Sequence, residues 1–138
     1  MRQRVGPIVV KPDHARLSAV YNIDTGAGKI RGLGLSGNAA LVPIFEQWIA
    51  PLRDLDMTLV TARPWCPGDC RPFYETGIPT PSFIQDPLEY TTRTHHTSSD
   101  TYDRLIPEDL RQAAIVMATM LYNTAMREQT LPRMPLPQ

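Results

Sequence analysis

Apolar and polar residues follow two different periods along this chain, and the points where the period changes mark its elements. Leu17 to Ile23 has the β-branched and aromatic bias of a buried strand and is ended by Asp24, Thr25 and Gly26. Lys29 to Leu35 predicts a bent strand among glycines, Met57 to Ala62 a short strand, and Thr80 to Ile84 a third, closed by Gln85, Asp86 and Pro87. A further short strand is expected at Pro7 to Val10. Between the strands, Leu41, Ile44, Phe45, Trp48, Ile49 and Leu52 recur at helical spacing, which predicts a helix from Ala39 to about Leu52 with Asn38 as its N-cap. Pro72 to Thr76 reads as a short helix stopped by Gly77. The longest helical stripe is Leu110, Ala113, Ala114, Met117, Met120, Leu121 and Thr124, on a helix from Pro107 to about Glu128 with Glu108 and Asp109 in its first turn. This order predicts an α/β fold, a partly parallel sheet flanked by helices.

Two polar places stand out against that pattern. From Arg93 to Asp103 the chain sets His95 beside His96, then four hydroxyl residues and two carboxylates, with Tyr102 as the single large apolar side chain. Such a stretch has little to bury and belongs on a loop. Spacing leaves two readings open: Ser98, Ser99 and Asp100 cap the following helix, or one imidazole ligates a metal while Asp100 or Asp103 accepts from its other ring nitrogen. The second place is Asp24, expected at the carboxyl end of a strand, where ligands bind in open α/β sheets. Asp24, Thr25, Gly26 and Ala27 also spell the aspartic protease signature, but a single copy requires a homodimer. The nearby glycines do not form a phosphate loop, because Lys29 is followed by Ile30 rather than Ser or Thr.

Composition narrows the partners. The 138 residues suit one domain, and 14 basic against 14 acidic residues give no electrostatic argument for nucleic acid or an anionic membrane as partner. No apolar run is long enough to cross a bilayer, and Met1 to Pro7 lacks the apolar core of a secretion signal. The compartment stays open, with a secreted or periplasmic parent compatible with the sequence. Prolines cluster at Pro64 to Pro81 and at Pro132 to Pro137, which predicts a rigid loop region and an extended tail, so residues 1–130 form the domain and 131–138 the tail. Cys66 and Cys70 are spaced for a small loop disulfide or stand as two free thiols.

Three motifs, in order, carry a family resemblance. Asn22-Ile23-Asp24-Thr25-Gly26 is followed by Gly28-Lys29-Ile30-Arg31-Gly32, then by Pro72-Phe73-Tyr74-Glu75-Thr76-Gly77-Ile78-Pro79, then by His96-Thr97 with Asp100-Thr101 and Asp103. From about Lys11 to about Arg127 the chain resembles the C-terminal part of the catalytic domain of the two-zinc exopeptidases, the family of the bacterial zinc aminopeptidases and carboxypeptidase Q. The resemblance implies a zinc-dependent metallopeptidase that hydrolyses terminal peptide bonds of a peptide or dipeptide, as aminopeptidase or carboxypeptidase. It implies Asp24 and His96 as zinc ligands, Asp100 as the residue that orients the loop, and Asp69, Phe73, Tyr90 and Arg93 at the pocket. Cys70 stands where the family commonly has a histidine. The family's earlier His, metal-bridging Asp and Glu-Glu pair have no counterpart here, since only Asp13 and His14 precede Asn22. The expectation is therefore two zinc ions in a complete enzyme, no catalytic residue and no activity in this chain alone, and self-association through an uncovered sheet edge. A non-catalytic binding module on the same fold is the alternative.

Overall fold

The computed structural model describes residues 8–64 and 68–136. Its centre is strand β1, Ile30–Gly34, where Ile30 and Leu33 are fully buried and Gly32 leaves room for the close approach of Leu59. On one side β1 pairs in parallel with β2, Leu59–Thr61, setting Gly32 opposite Leu59 and Gly34 opposite Thr61. On the other it pairs antiparallel with β3, Ser82–Gln85, setting Gly34 opposite Ser82. The sheet order β2-β1-β3 is mixed, as the pattern of elements predicts.

A parallel pair needs a crossover. Residues 38–58 supply it through a 3-10 turn at Ala39–Leu41, helix α1 at Val42–Ile49, and a 3-10 extension at Ala50–Leu55. Pro43 falls in the first turn of α1, where its missing N–H costs nothing, and Pro51 falls where the α-helical bonding gives way. Leu41, Phe45, Ile49 and Leu52 from this crossover meet Leu33, Leu35 and Phe83 from the sheet region and Ala113, Val116 and Met120 from the long helix, which together form the core. Tyr21 is wedged between Phe45 and Phe83, with ring centroids 6.4 and 6.1 Å away. Its hydroxyl shares a 2.6 Å hydrogen bond with Thr124 Oγ1. Burial pushes the Tyr21 phenol up to about 12, against the smaller lowering effect of the Thr124 bond. Helix α2, Arg71–Tyr74, is short, and α3 spans Pro107–Ala125.

Four expectations are corrected. Leu17 to Ile23 is an extended segment rather than a strand: it makes one parallel bridge, Asn22 with Ser82, and Val20 N–H donates to the Pro79 carbonyl at 2.9 Å. Residues 8–10 of the expected first strand have no strand structure, and Pro7 lies outside the described residues. Asn38 makes no side-chain cap; its amide instead donates to the Pro132 carbonyl at 2.8 Å. Finally, α3 is rotated from its expected stripe. Asp109, Gln112, Ala113, Val116 and Met120 face inward, while Leu110 and Leu121 are about half exposed at 46 % and 51 %. Two polar contacts set that rotation: Gln112 bonded to β1, and Thr124 bonded to Tyr21.

Residues 131–136 carry no helix or strand and lie along the domain. Leu131 is buried in the core, and Arg133 donates to the carbonyls of His14, Ala15 and Leu17. Cys70 is fully buried and disulfide-bonded, and Cys66 lies outside the described residues.

Charges gather where β1 begins. Arg31 donates to Asp86 at 2.9 Å and pairs with Asp56 at 3.2 Å, and Lys29 pairs with Asp56 at 2.9 Å. The Arg31 hydrogen bond holds Asp86 below the ordinary aspartate range, and the Lys29 bond does the same for Asp56. A carboxyl held low in the folded state contributes stability above its unfolded value and loses it as pH falls through the folded one. Urea midpoints measured against pH should therefore drop on acidification below the ordinary aspartate range, and drop less in Arg31→Gln. Identical pH slopes in the two proteins would remove this cluster from the acid response.

Candidate functional site

A cavity of about 730 Å³ lies against the sheet, lined from β1, β3 and the end of β2 by Gly34, Phe83, Ile84, Gln85 and Thr61, and from the loops by Asp24, Arg63, Tyr90, His95 and His96. Two of its walls are built locally. The first follows from the Asn22 to Ser82 bridge, reinforced by Phe83 N–H donating to the Asn22 carbonyl at 3.4 Å, which sets Asp24 two residues further along. The Tyr90 hydroxyl then donates to the Asp24 carbonyl at 3.0 Å, tying that segment to the histidine loop. Gly68 also sits against Asp24: a Cβ there would lie 2.5 Å from Asp24 Oδ2, and its φ of +66° is one that a side chain rarely tolerates.

The second wall is a single π-helical turn, Tyr90–Thr94. The Thr94 N–H reaches the Glu89 carbonyl at 3.1 Å and His95 N–H reaches that of Tyr90 at 2.9 Å, so one residue is squeezed into the turn. The chain leaves it through His96 in the left-handed region, φ 58°. The His95 ring lies between Tyr90 and His96, with centroids 4.7 and 4.1 Å away. Thr97 holds this loop: its hydroxyl oxygen contacts the Arg93 and Thr94 carbonyls at 2.6 and 3.2 Å and accepts from Ser99 N–H at 3.2 Å.

The structure brings together Asp24, His96 and Tyr90 of the residues expected at the site. Asp100 contributes its backbone N–H to the Thr97 carbonyl at 3.3 Å, so the orienting contacts run through Thr97. Arg93 pairs with Glu89 at 3.0 Å and does not line the cavity, and Glu89 also binds Arg104. Asp69 belongs to the 3-10 turn Gly68–Cys70 beside the cavity, whose lining includes Gly68 and not Asp69. Phe73, on α2, lines a separate cavity of about 670 Å³ with Val9, Leu17 and Ile78. His14 lines that second cavity too; its Nε2 is 2.9 Å from the Thr76 carbonyl and its Nδ1 is 3.0 Å from Arg133. Arg63 and Thr61 are additions that sequence reasoning did not make. The strand-end rule that singles out Asp24 applies equally to them.

As a metal centre the donor set is short. Among the described residues no three of His, Cys, Asp and Glu are grouped so as to hold an ion. Asp24 and His96 share a cavity, but a hydrolytic zinc takes about three protein ligands. Among the described residues this donor set does not fit a complete centre.

The chain is 29% identical over 126 residues to carboxypeptidase Q of Pongo abelii and of Homo sapiens. It is 28% identical over 123 residues to carboxypeptidase Q of Bos taurus. Each comparison covers 89% of this chain and 26% of the relative, so the chain spans about a quarter of the length of the curated relatives it matches. No protein-family model matches the chain. No solved structure matches it either. The resemblance to a carboxypeptidase segment thus extends over most of the chain, as a distant one.

Proposed function

We propose that this chain is the late segment of the catalytic domain of a zinc-dependent exopeptidase, contributing Asp24 and His96 to a two-zinc site whose other ligands and general base belong to preceding sequence. The observation that carries this reading is that Asp24 and His96, far apart in sequence, line one cavity in a chain similar to carboxypeptidase Q over 89% of its length. Residues 1–130 form the peptidase-like part and 131–138 its proline-rich tail. Two surfaces suit the packing of further catalytic-domain structure or of a second copy. One is the outer edge of β2, which has a neighbour on one side only among the described residues; the other is the exposed apolar surface of α3, Leu110 with Leu121 on one face and Ile115 with Tyr122 on another. A non-catalytic binding module is the second reading, favoured by the lack of a third donor grouped with Asp24 and His96 among the described residues.

Two measurements test the proposal. The purified chain, dialysed against zinc and assayed with aminoacyl and N-acyl-dipeptide substrates, is expected to show no turnover and less than one retained zinc; chelator-sensitive turnover with two retained zincs would sink it. In a complete enzyme carrying this segment, His96→Ala is expected to lose at least about a hundred-fold in activity and zinc affinity, more than even a residue supporting a ligand commands. His95→Ala, which removes the packing on Tyr90, should lose about ten-fold or less. Equal losses in the two variants would reject His96 as the ligand.

A further inference from the structure

The basic residues around the sheet are occupied. Lys29 and Arg31 hold Asp56 and Asp86, Arg71 holds Glu75, and Arg93 and Arg104 share Glu89. Arg63 has no ion pair among the described residues, and among them it is the one Lys or Arg that lines the cavity with Asp24 and His96. Its place is fixed from behind. Leu35 N–H donates to the Thr61 carbonyl at 2.8 Å, Gly37 N–H to the Ala62 carbonyl at 3.0 Å, and Arg63 N–H to Thr61 Oγ1 at 3.2 Å. The backbone up to Arg63 is thus pinned by the continuation of β1, while the side chain is exposed at the cavity wall. Phe83 and Ile84 add apolar surface and Thr25, Thr61 and Thr91 add hydroxyls to the same cavity.

We propose that Arg63 binds the free C-terminal carboxylate of the peptide substrate and so makes the site specific for carboxyl ends. This rests on the exopeptidase reading above. A planar guanidinium matches a carboxylate with two parallel charge-assisted hydrogen bonds, whereas it repels the ammonium of a free N-terminus. The carboxylate of the same cavity, Asp24, is taken up by zinc in that reading, which leaves the Arg63 cation as the lining charge, among the described residues, free to meet a substrate end.

The test is an amide NMR titration of the metal-free chain with N-acetyl-alanyl-phenylalanine, its C-terminal amide, and inorganic phosphate. The free acid should shift the resonances of Ala62, Arg63 and His96, and the amide should not. Arg63→Ala is expected to weaken the free acid about ten-fold, the scale of a lost hydrogen bond to a charged group, and Arg63→Lys to recover part of it. Arg53→Ala, which removes another exposed arginine without an ion pair among the described residues, should bind as the wild type does. The proposal is overturned if the amide or phosphate shifts the same resonances equally, if Arg63→Ala matches Arg53→Ala, or if no ligand binds at millimolar concentration. Because no metal is present, a failed zinc assignment leaves this result standing, and a failure here leaves the zinc assignment standing.

Discussion

Gly32→Ala is expected to destabilise the folded domain severely, by about 3 kcal/mol or more. A Cβ at position 32 would overlap the Leu59 carbonyl oxygen and lie 2.6 Å from Leu59 Cβ and 2.8 Å from its carbonyl carbon. These atoms belong to the backbone of β2 or stand directly on it, so no rotamer change relieves the overlap. The strands must separate at the residue pair Gly32 and Leu59, in the middle of a sheet whose parallel register runs over only three pairs. Overpacking that moves backbone costs about 3 kcal/mol or more, a large share of the roughly 5–15 kcal/mol that holds a domain of this size. Urea unfolding followed by circular dichroism should show the midpoint fall well below that of the wild type. A midpoint within error of the wild type would refute the close approach of β2. The consequence reaches the cavity, because Thr61 and Arg63 are carried there by β2.

The second large effect is expected at Gln112, the buried amide that fastens α3 to the sheet. Its Oε1 accepts from Ile30 N–H at 2.9 Å, and its Nε2 donates to the carbonyls of Ile30 and Leu55 at 2.7 and 3.0 Å. Ile30 opens β1 just where the pairing with β3 shifts register, so a side chain supplies what the ladder does not. Gln112→Leu keeps the volume and strands one N–H and two carbonyls in the interior. At about 1–3 kcal/mol for an unsatisfied buried group, the expected loss is about 3 kcal/mol. Gln112→Glu separates hydrogen bonding from packing. It retains the acceptor but turns a carboxylate toward two carbonyl oxygens, which raises its folded pKa above the unfolded value. The destabilisation is then present at neutral pH and relieved as pH falls and the carboxyl becomes a donor. Urea midpoints of the Glu variant that do not rise on acidification toward the ordinary glutamate range, relative to Gln112→Leu, would show that these contacts carry no energy.

The apolar pattern of this chain determines the identity and order of its elements. The crossover helix is legible because Leu41, Phe45, Ile49 and Leu52 repeat at a period that only a helix brings to one face, and all four are buried. The bent strand at Lys29 to Leu35 and the two strands beyond it are legible from β-branched runs ended by turn residues, and the mixed sheet follows from their order. Motif order singles out Asp24 and His96 through a family resemblance; the structure places both on one cavity, and their role as ligands is the proposal made for them.

Other features depend on contacts between segments that no local period encodes. Leu17 to Ile23 has strand composition, but composition cannot supply a partner, and a single bridge at Asn22 is what the fold gives it. The long helix has apolar side chains on more than one face, so its sequence permits more than one rotation; Gln112 and Thr124, two polar side chains with distant partners, select the one adopted. Asn38, a good cap by residue type, spends its amide on Pro132. The loop at His95 and His96 is held by Thr97 rather than Asp100, because the π-turn brings two carbonyls within reach of that hydroxyl. Arg63 joins the cavity only because β1 continues alongside Thr61 and Ala62 and fixes where the chain leaves the sheet. Hydrophobic periodicity decides which face of an element can be buried; which face is buried, and which charge stands free beside it, is decided by partners distant in sequence.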